Sequence, residues 1–288
     1  MHGDVILSAA RPGQTIPLTP TATLIQGVVW QCNCVVIRKD GHALAGDAIW
    51  SHHDLAVLTG MIADHDTHLL ITHGDIDHCS CIGACAQAKA VGSAATAQRI
   101  ASGSAAKNLK VEAAAWGLQF EGEPRIDMIV KADAHLALGK WHVRTVEAAG
   151  HAGDGMAYLV EEESLFLVGD YLMASQHPMI WWSLREARRT TERLLETIEK
   201  HRVERIVPGH GPWLSHAEAM TVGRQDLAYL REVERVADDA QRKGYAWREW
   251  EMAVMDVPVP RPCAPDIEIL CPRLLNAQAT LRDRGLIV

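Results

Sequence analysis

The sequence lacks the features that place a protein in a membrane or outside the cell. Its 288 residues contain no uninterrupted apolar run of transmembrane length, and the first residues show no basic leader followed by a long apolar stretch. The seven cysteines are an odd number, and their clustered spacings, Cys32/Cys34 and Cys79/Cys81/Cys85, match neither a secreted disulfide framework nor a zinc ribbon. We therefore expect a cytoplasmic protein with reduced thiols.

Excess positive charge is also absent. The 28 lysine and arginine residues face 36 aspartate and glutamate residues, which gives a formal net charge of −8. The phosphates of nucleic acid and of acidic membrane surfaces would be repelled by such a protein. We expect a small-molecule substrate and neither a nucleic-acid nor a membrane partner, and the sequence leaves a homodimer open.

Two common catalytic motifs are missing. No serine-centred nucleophile elbow occurs, and the glycine-rich string Gly150–Gly155 lacks the spacing and the following acidic partner of a dinucleotide-binding loop. The sequence therefore gives no support to a serine nucleophile or to a bound dinucleotide.

Metal-ligating residue types instead gather in four short segments, each just after an apolar run with strand character. The segments are ITHGDIDH, GHAGDG, VGDY and PGHGP, and their candidate ligands are His73, Asp75, Asp77, His78, His151, Asp170 and His210. Imidazole and carboxylate bind borderline and hard divalent metals, and two ions about 3.5–4 Å apart can share a bridging water or hydroxide. The pattern predicts a two-metal site at one edge of a sheet.

The backbone around these residues is predicted to turn sharply. Alternate residues of a strand face opposite ways, so the four closely spaced candidates of the first segment should lie on a loop. Glycines adjoin the candidates in all four segments, namely Gly74, Gly150, Gly169 and Gly209. A chance gathering is the alternative, since the chain has 15 histidines, but the joint pattern favours a metal site.

Short apolar strands alternate with helices along the chain. Thr67–Thr72 is predicted to be the strand before the first metal segment, and Arg205–Val207 the strand before His210. Apolar residues spaced between Leu184 and Ile198 predict an amphipathic helix. The rhythm indicates an α/β protein.

The four segments resemble the metal motif of the metallo-β-lactamase-fold superfamily of hydrolases and oxidoreductases. Its pattern is His-x-His-x-Asp-His, then a distant histidine, a bridging aspartate and a last histidine, and the likeness runs from about Leu24 to Pro212. The resemblance implies an α/β fold, an αββα sandwich of two mixed β-sheets flanked by helices.

The resemblance also implies two sets of ligands. The first metal would be held by His73, Asp75 and His151. The second would be held by Asp77, His78 and His210. Asp170 would bridge the two metals, and Asp47 falls near an early aspartate-containing loop that supports the site from outside.

One position departs from the superfamily pattern. Asp75 stands where the second histidine is usual, and Cys79-Ser80 replaces the Gly-Gly that often follows. The extra carboxylate weakens the Lewis acidity felt by bound water and hardens the site toward iron or manganese. A carboxylate at this position resembles the flavodiiron and related di-iron members. We expect two divalent metal ions as cofactors, either zinc or, because of Asp75, iron or manganese.

Two enzyme hypotheses follow. In the first, a metal-bound hydroxide attacks an ester, thioester, lactone or related bond of a small molecule, and Asp77 orients the nucleophile or passes a proton to the leaving group. In the second, a di-iron centre of the same fold binds or activates dioxygen as an oxidoreductase. A binding protein that has lost activity is a third interpretation, which retention of the other ligands disfavours.

The sequence changes character beyond Pro212. Residues 1–212 are predicted to form the catalytic domain, and residues 213–288 a helical extension packed on the same domain. Glu218–Lys243 is long, charged and periodic, which predicts a solvated helix. The proline-rich segment Val257–Pro272 excludes a regular helix and is expected to wrap back over the body, as a lid or as plain packing.

Two groups of residues remain open. His177, Trp181 and Trp182 follow Asp170 closely, where the resemblance places a pocket wall, although core packing explains tryptophan equally well. The three cysteines after the first metal segment are either thiols within reach of the metals or, the favoured interpretation, small residues of a buried helix.

Overall fold

The structure, a computed structural model, has two mixed β-sheets at its centre. It describes residues 13–27, 29–47, 51–101 and 125–287, apart from the side chains of His52 and Asp266. The first sheet contains, in spatial order, β1 (Gln14–Pro17), β2 (Ala22–Gln26), β3 (Asn33–Lys39), β4 (His42–Gly46), β5 (Asp66–Leu70), β6 (Lys89–Ser93) and β7 (Met128–Val130). The second contains β8 (His135–Leu138), β9 (Trp141–Glu147), β10 (Met156–Val160), β11 (Leu165–Gly169), β12 (Arg205–Pro208) and β13 (Leu214–Ser215).

Strand direction is mixed in both sheets. In the first sheet β1 to β4 pair antiparallel, and β4 to β7 pair parallel. In the second sheet β11 and β12 are parallel, and the remaining pairs are antiparallel. Parallel strands need crossover connections, which bring the helices onto the faces of the sheets.

Helices cover the outer face of each sheet. Those that follow strands of the first sheet are α1 (His52–Ile62), α2 (Ile76–Cys79), α3 (Cys81–Ala84) and α4 (Ala94–Ala101). Those on the second sheet are α5 (Leu184–His201), α6 (His216–Lys243), α7 (Trp247–Met255), α8 (Pro265–Glu268) and α9 (Pro272–Arg282). The predicted apolar stripe of α5 is buried against the sheet, and Ser183 caps the helix by accepting from the backbone N–H of Glu186.

Strand β10 is apolar at every position because both of its faces are buried. Successive side chains of a strand face opposite sides, and both sides of this strand are covered. Tyr158 points into the layer between the two sheets together with Leu24 and Leu167. Leu159 points outward into the layer under the helices together with Leu194. The αββα sandwich expected from the sequence is thereby confirmed.

The segment after Pro212 packs on the second sheet. Trp250 of α7 and Ala277 of α9 belong to the same apolar cluster as Phe166 of β11. The indole N–H of Trp250 donates to the Thr280 hydroxyl at 2.8 Å, which joins α7 to α9. Between these helices the proline-rich segment contains only the single turn of α8, so its irregular backbone agrees with the sequence expectation.

None of the helices in the described ranges combines the length and apolarity that crossing a membrane requires.

Candidate metal centre

The candidate ligands lie where strands end. His73 follows β5, His151 follows β9, Asp170 follows β11 and His210 follows β12. Each ligand comes after the carboxyl end of its strand, so the two packed sheets deliver all four segments to one end of the sandwich. This convergence is what the sequence pattern predicted.

The first metal segment is not a loop throughout. His73 and Asp75 lie on irregular backbone, but Asp77 and His78 lie on the single turn α2. The N–H groups of His78 and Cys79 donate to the carbonyl of Asp75, at 3.0 and 3.1 Å. The expectation of a loop is corrected because the segment is buried, and a helical turn pairs its backbone groups where water cannot.

Asp170 lies between two groups of histidines. Its Oδ2 is 3.3 Å from Nε2 of His151, and its Oδ1 is 3.2 Å from Nε2 of His78 and 3.4 Å from Nε2 of His210. The two carboxylate oxygens therefore face different sets of imidazoles, which is the placement that a bridging ligand requires.

Each set contains a second carboxylate. Asp75 Oδ2 is 3.2 Å from Nε2 of His73 and 3.5 Å from Nε2 of His151. Asp77 Oδ2 is 3.2 Å from Nε2 of His210 and 3.5 Å from Nε2 of His78. These distances place Asp75 beside His73 and His151, and Asp77 beside His78 and His210. His73 and His78 also lie together with Asp170, so the two groups of residues adjoin each other.

Protein acceptors hold the outer nitrogens of two of the histidines. His210 Nδ1 lies 3.0 Å from the carbonyl oxygen of Trp30, and His151 Nδ1 lies 2.6 Å from that of Met179. A carbonyl accepts only, so Nδ1 carries the proton in both rings and Nε2 keeps its lone pair for the centre.

Asp47 fixes the other two histidines through Thr72. Its Oδ2 is 3.2 Å from His78 Nδ1 and accepts from the Thr72 hydroxyl at 2.9 Å, while its Oδ1 accepts from the Thr72 N–H at 3.0 Å. The Thr72 hydroxyl, having donated to Asp47, is left to accept from His73 Nδ1 at 3.1 Å. Asp47 therefore supports the site from outside, where the loose sequence match had placed it.

We expect Asp47→Asn to lower the metal affinity of the site by about 10–100-fold, because ligands whose outer partners are lost no longer hold their tautomer and orientation. The measurement is a competition titration of the metal-free protein against a chromogenic chelator. Circular dichroism checks that the variant is folded. Wild-type affinity in a folded Asp47→Asn protein would contradict the assigned role.

The inner atoms of the cluster lack hydrogen-bond partners. Among the described residues, Nε2 of His73, His78 and His151 and Oδ1 of Asp170 are buried without one, because the nearby atoms at 3.2–3.5 Å are not aligned for a hydrogen bond. Buried polar atoms are nearly always satisfied, and four unsatisfied lone-pair atoms that face one another are those a cation would satisfy. The donor set therefore fits metal ions.

Opposite charges within the cluster shift one another's pKa values. Burial raises the pKa of the Asp170 carboxyl, but His210, His78 and His151 outweigh burial and hold it well below its ordinary value. Burial lowers the pKa of His78, but the neighbouring carboxylates of Asp77 and Asp170 raise it well above its ordinary value. The carboxylates thus concentrate negative charge that protons or metal cations neutralise.

Two glycines are required by close contacts. A Cβ on Gly209 would lie 2.3 Å from Asp170 Oδ1 and 2.5 Å from His78 Cε1. Gly150 has a φ of +134° and passes so close to α5 that a Cβ would lie 2.3 Å from the backbone nitrogen of Ala187. Gly209 thus lets its loop approach the candidate ligands, and Gly150 lets the loop that carries His151 pass against α5.

A cavity of about 780 Å³ opens onto the cluster. Asp75, Asp77, His151, Asp170 and His210 face it from the metal centre. Its apolar lining residues are Trp30, Ile76, Ala95, Ala152, Met179, Trp181, Trp182, Ile267 and Leu270. The last two belong to the segment after Pro212, so this segment forms part of the wall.

Of the three residues proposed for the pocket wall, two lie on it. Trp181 and Trp182 line the cavity and are 41% and 56% exposed. His177 is buried away from the cavity, with Nδ1 3.1 Å from the Cys263 sulfur and its ring 5.9 Å from that of Tyr229. The expectation for His177 is corrected because the C-terminal segment covers this side chain.

The cysteines after the first segment pack in the core. Cys79, Cys81 and Cys85 are buried in the layer between the first sheet and its helices, and burial raises the pKa of each thiol. None of them joins a cluster of potential metal ligands among the described residues. The interpretation as small packing residues is the one that the geometry supports.

Sequence reasoning missed two neighbours of the ligands. Cys32 Sγ lies 3.5 Å from His210 Nδ1 and 4.0 Å from Asp77 Oδ2, and burial raises the pKa of its thiol. Arg99 of α4 pairs with Asp75. The CxC spacing of Cys32, just before β3, and Cys34, within it, was visible in the sequence. Nothing near Arg99 connected this residue with Asp75, 24 residues earlier.

The comparisons with known proteins concern the fold. No protein-family model and no curated protein sequence matches this chain. A metallo-beta-lactamase family protein from Thermus thermophilus is 16% identical, with a TM-score of 0.64, over 93% of this chain and 95% of that one. Metallo-beta-lactamases from Pontibacter korlensis and Hirschia baltica are 15% and 12% identical, each with a TM-score of 0.52, over 73% and 74% of this chain and 98% and 97% of theirs. The protein has the metallo-β-lactamase fold.

Proposed function

We propose that the protein is a dinuclear metal-dependent hydrolase that acts on an ester, thioester, lactone or related bond of a small molecule. The observation that carries the proposal is the group of buried, unsatisfied imidazole nitrogens around the two oxygens of Asp170. Divalent cations bound there would lower the pKa of a water molecule and polarise the oxygen of the bond to be cleaved.

The protein's own residues have distinct tasks in this reaction. Asp170 separates the two ligand sets, and the backbone carbonyls of Trp30 and Met179 keep His210 and His151 in the tautomer that ligates through Nε2. Asp77 reaches the cavity wall beside His210. From there its carboxylate can orient the attacking water or carry a proton to the leaving group.

The cavity favours a substrate with a neutral, apolar part. Its described walls are rich in tryptophan and aliphatic side chains. Among the described residues that line the cavity, Arg99 is the one side chain with a permanent positive charge. Asp75 and Asp154 both pair with it. An aromatic or aliphatic acyl group therefore fits this wall better than a carboxylate or phosphate group.

A di-iron oxidoreductase is the second candidate, and Asp75 is the observation that favours it. Its Oδ2 faces His73 and His151, so the first set combines two imidazoles with two carboxylates when Asp170 is counted. Such oxygen-rich sets suit iron and manganese.

Metal analysis and turnover together test the proposal. We expect protein purified without added metal to contain two divalent ions per chain, and hydrolysis of p-nitrophenyl esters to increase with acyl chain length. Trp181→Ala should raise KM for the longer esters, whereas Trp213→Ala, a comparably exposed tryptophan that is not among the cavity's lining residues, should not. Two irons with an oxygen-sensitive absorption band and no esterase turnover would favour the oxidoreductase instead.

A further inference from the structure

The carboxylate of Asp75 is shared between the metal centre and an arginine. Its Oδ2 faces the Nε2 atoms of His73 and His151, and its Oδ1 is ion-paired with Nη2 of Arg99. Asp75 is about one quarter exposed and Arg99 somewhat more, so the pair stands at the cavity wall.

Asp154 holds the other arm of the guanidinium. Arg99 Nη1 donates to Asp154 Oδ1 at 2.8 Å, and Asp154 Oδ2 accepts from the backbone N–H of Gly74 at 2.8 Å. The carbonyl of Asp154 accepts from the hydroxyls of Ser93 and Thr96, at 2.9 and 3.0 Å. The start of α4 is thereby tied to the residue just before Asp75.

We propose that Arg99 is a positioning residue that makes Asp75 a ligand of the first metal at a place where the superfamily resemblance implies histidine. The planar guanidinium presents its two arms in a fixed geometry, so binding Asp154 with one arm fixes where the other meets Asp75. This contact turns Oδ2 toward His73 and His151. The proposal rests on the dinuclear site of the proposed function.

Charge supports the same role. A histidine ligand is neutral, whereas Asp75 adds a negative charge that weakens the Lewis acidity of a bound cation. Arg99 places a positive charge against the outer oxygen of that carboxylate, where it offsets part of the addition. Asp154 shares the same guanidinium, so the offset at Asp75 is partial and the three groups together formally keep one negative charge.

Cobalt binding to the metal-free protein tests this role of Arg99. We expect Arg99→Met to weaken the first cobalt site by about 10–100-fold, the usual cost of losing an outer partner of a ligand, and to leave the second site unchanged. Chelator competition gives the two affinities, and the visible cobalt spectrum reports the ligand geometry of each site. Gln98→Met, at the neighbouring position of the cavity wall, should change neither.

The decisive comparison adds Asp75→His. Histidine carries no charge to offset and needs no carboxylate partner, so Arg99→Met should cost no cobalt affinity in the Asp75→His background. An equal loss in both backgrounds would show that Arg99 only holds the loop through Asp154, and would overturn the proposal. If the wild type and Arg99→Met both bind two cobalt ions with equal affinity, the role of Arg99 is also overturned. The proposed function would stand in that case. Wild-type protein that binds no cobalt would contradict both.

Discussion

Replacing Asp170 with alanine is expected to remove both metal ions from the purified protein. Its two oxygens face different ligand sets, and one lies within 3.4 Å of both His78 and His210. The substitution leaves each site one charged ligand short, with Asp75 or Asp77 as its remaining carboxylate. We expect metal affinity to fall by more than about 100-fold, which exceeds the usual cost of losing a residue that only supports a ligand through a hydrogen bond. Hydrolysis should fall with the metal content.

Elemental analysis and chelator competition measure this effect. Asp54→Asn is the matched control, because Asp54 is an equally buried carboxylate that contacts Gly13 instead of the cluster. The control should keep both metals. Unchanged metal content in folded Asp170→Ala protein would rule out the bridge.

The second large effect concerns a buried ion pair outside the centre. Arg261, in the proline-rich segment, donates from Nη2 to Asp226 Oδ1 of α6 at 2.6 Å and from Nε to the carbonyl of Met173 at 2.7 Å. Both side chains are largely buried. The pair joins the proline-rich segment to α6 and to the loop that follows Asp170.

We expect Arg261→Met to lower the free energy of unfolding by about 3–5 kcal/mol at pH 8, because Asp226 is left buried without its cation. Burial raises the pKa of Asp226 to about 7 while Arg261 opposes the shift, so the variant's pKa should be higher still. A carboxyl with a raised folded-state pKa contributes stability below its unfolded pKa and loses it as the pH rises through the folded value. The deficit should therefore be smaller at pH 5.

Urea unfolding at the two pH values measures the deficit. Adding Asp226→Asn to Arg261→Met should recover part of the lost stability at pH 8, because no charge is then buried. Arg235→Met, on the exposed face of α6, should leave the unfolding midpoint nearly unchanged. A cost for Arg261→Met that is the same at pH 5 and pH 8 would show that Asp226 carries none of the effect.

The sequence was sufficient to predict the fold and the convergence of the candidate ligands, for a local reason. Each candidate ligand follows an apolar strand within a few residues, so strand ends and ligands could be recognised together. Asp66–Leu70 and Arg205–Pro208 match the strands predicted before His73 and His210 within two residues. The helical turn at Asp77 and His78 was missed because burial, which forces backbone pairing there, is not visible in a six-residue motif.

Contacts between distant segments could not be predicted. Arg99 lies on an ordinary amphipathic helix, and only the fold brings it to Asp75 and Asp154. Ile267 and Leu270 reach the cavity through the path of an irregular, proline-rich segment, which carries no periodicity to interpret. The same segment covers His177, whose place in the sequence had suggested the pocket.

The most direct test of the account is the number and position of bound metals. Anomalous scattering from crystals of metal-loaded protein, measured at the zinc and iron edges, should show two peaks about 3.5–4 Å apart, one on either side of the Asp170 carboxylate. The first peak should lie among His73, Asp75 and His151, and the second among Asp77, His78 and His210. A crystal with no peak at this cluster, from protein that retains full activity in a strong chelator, would contradict the account.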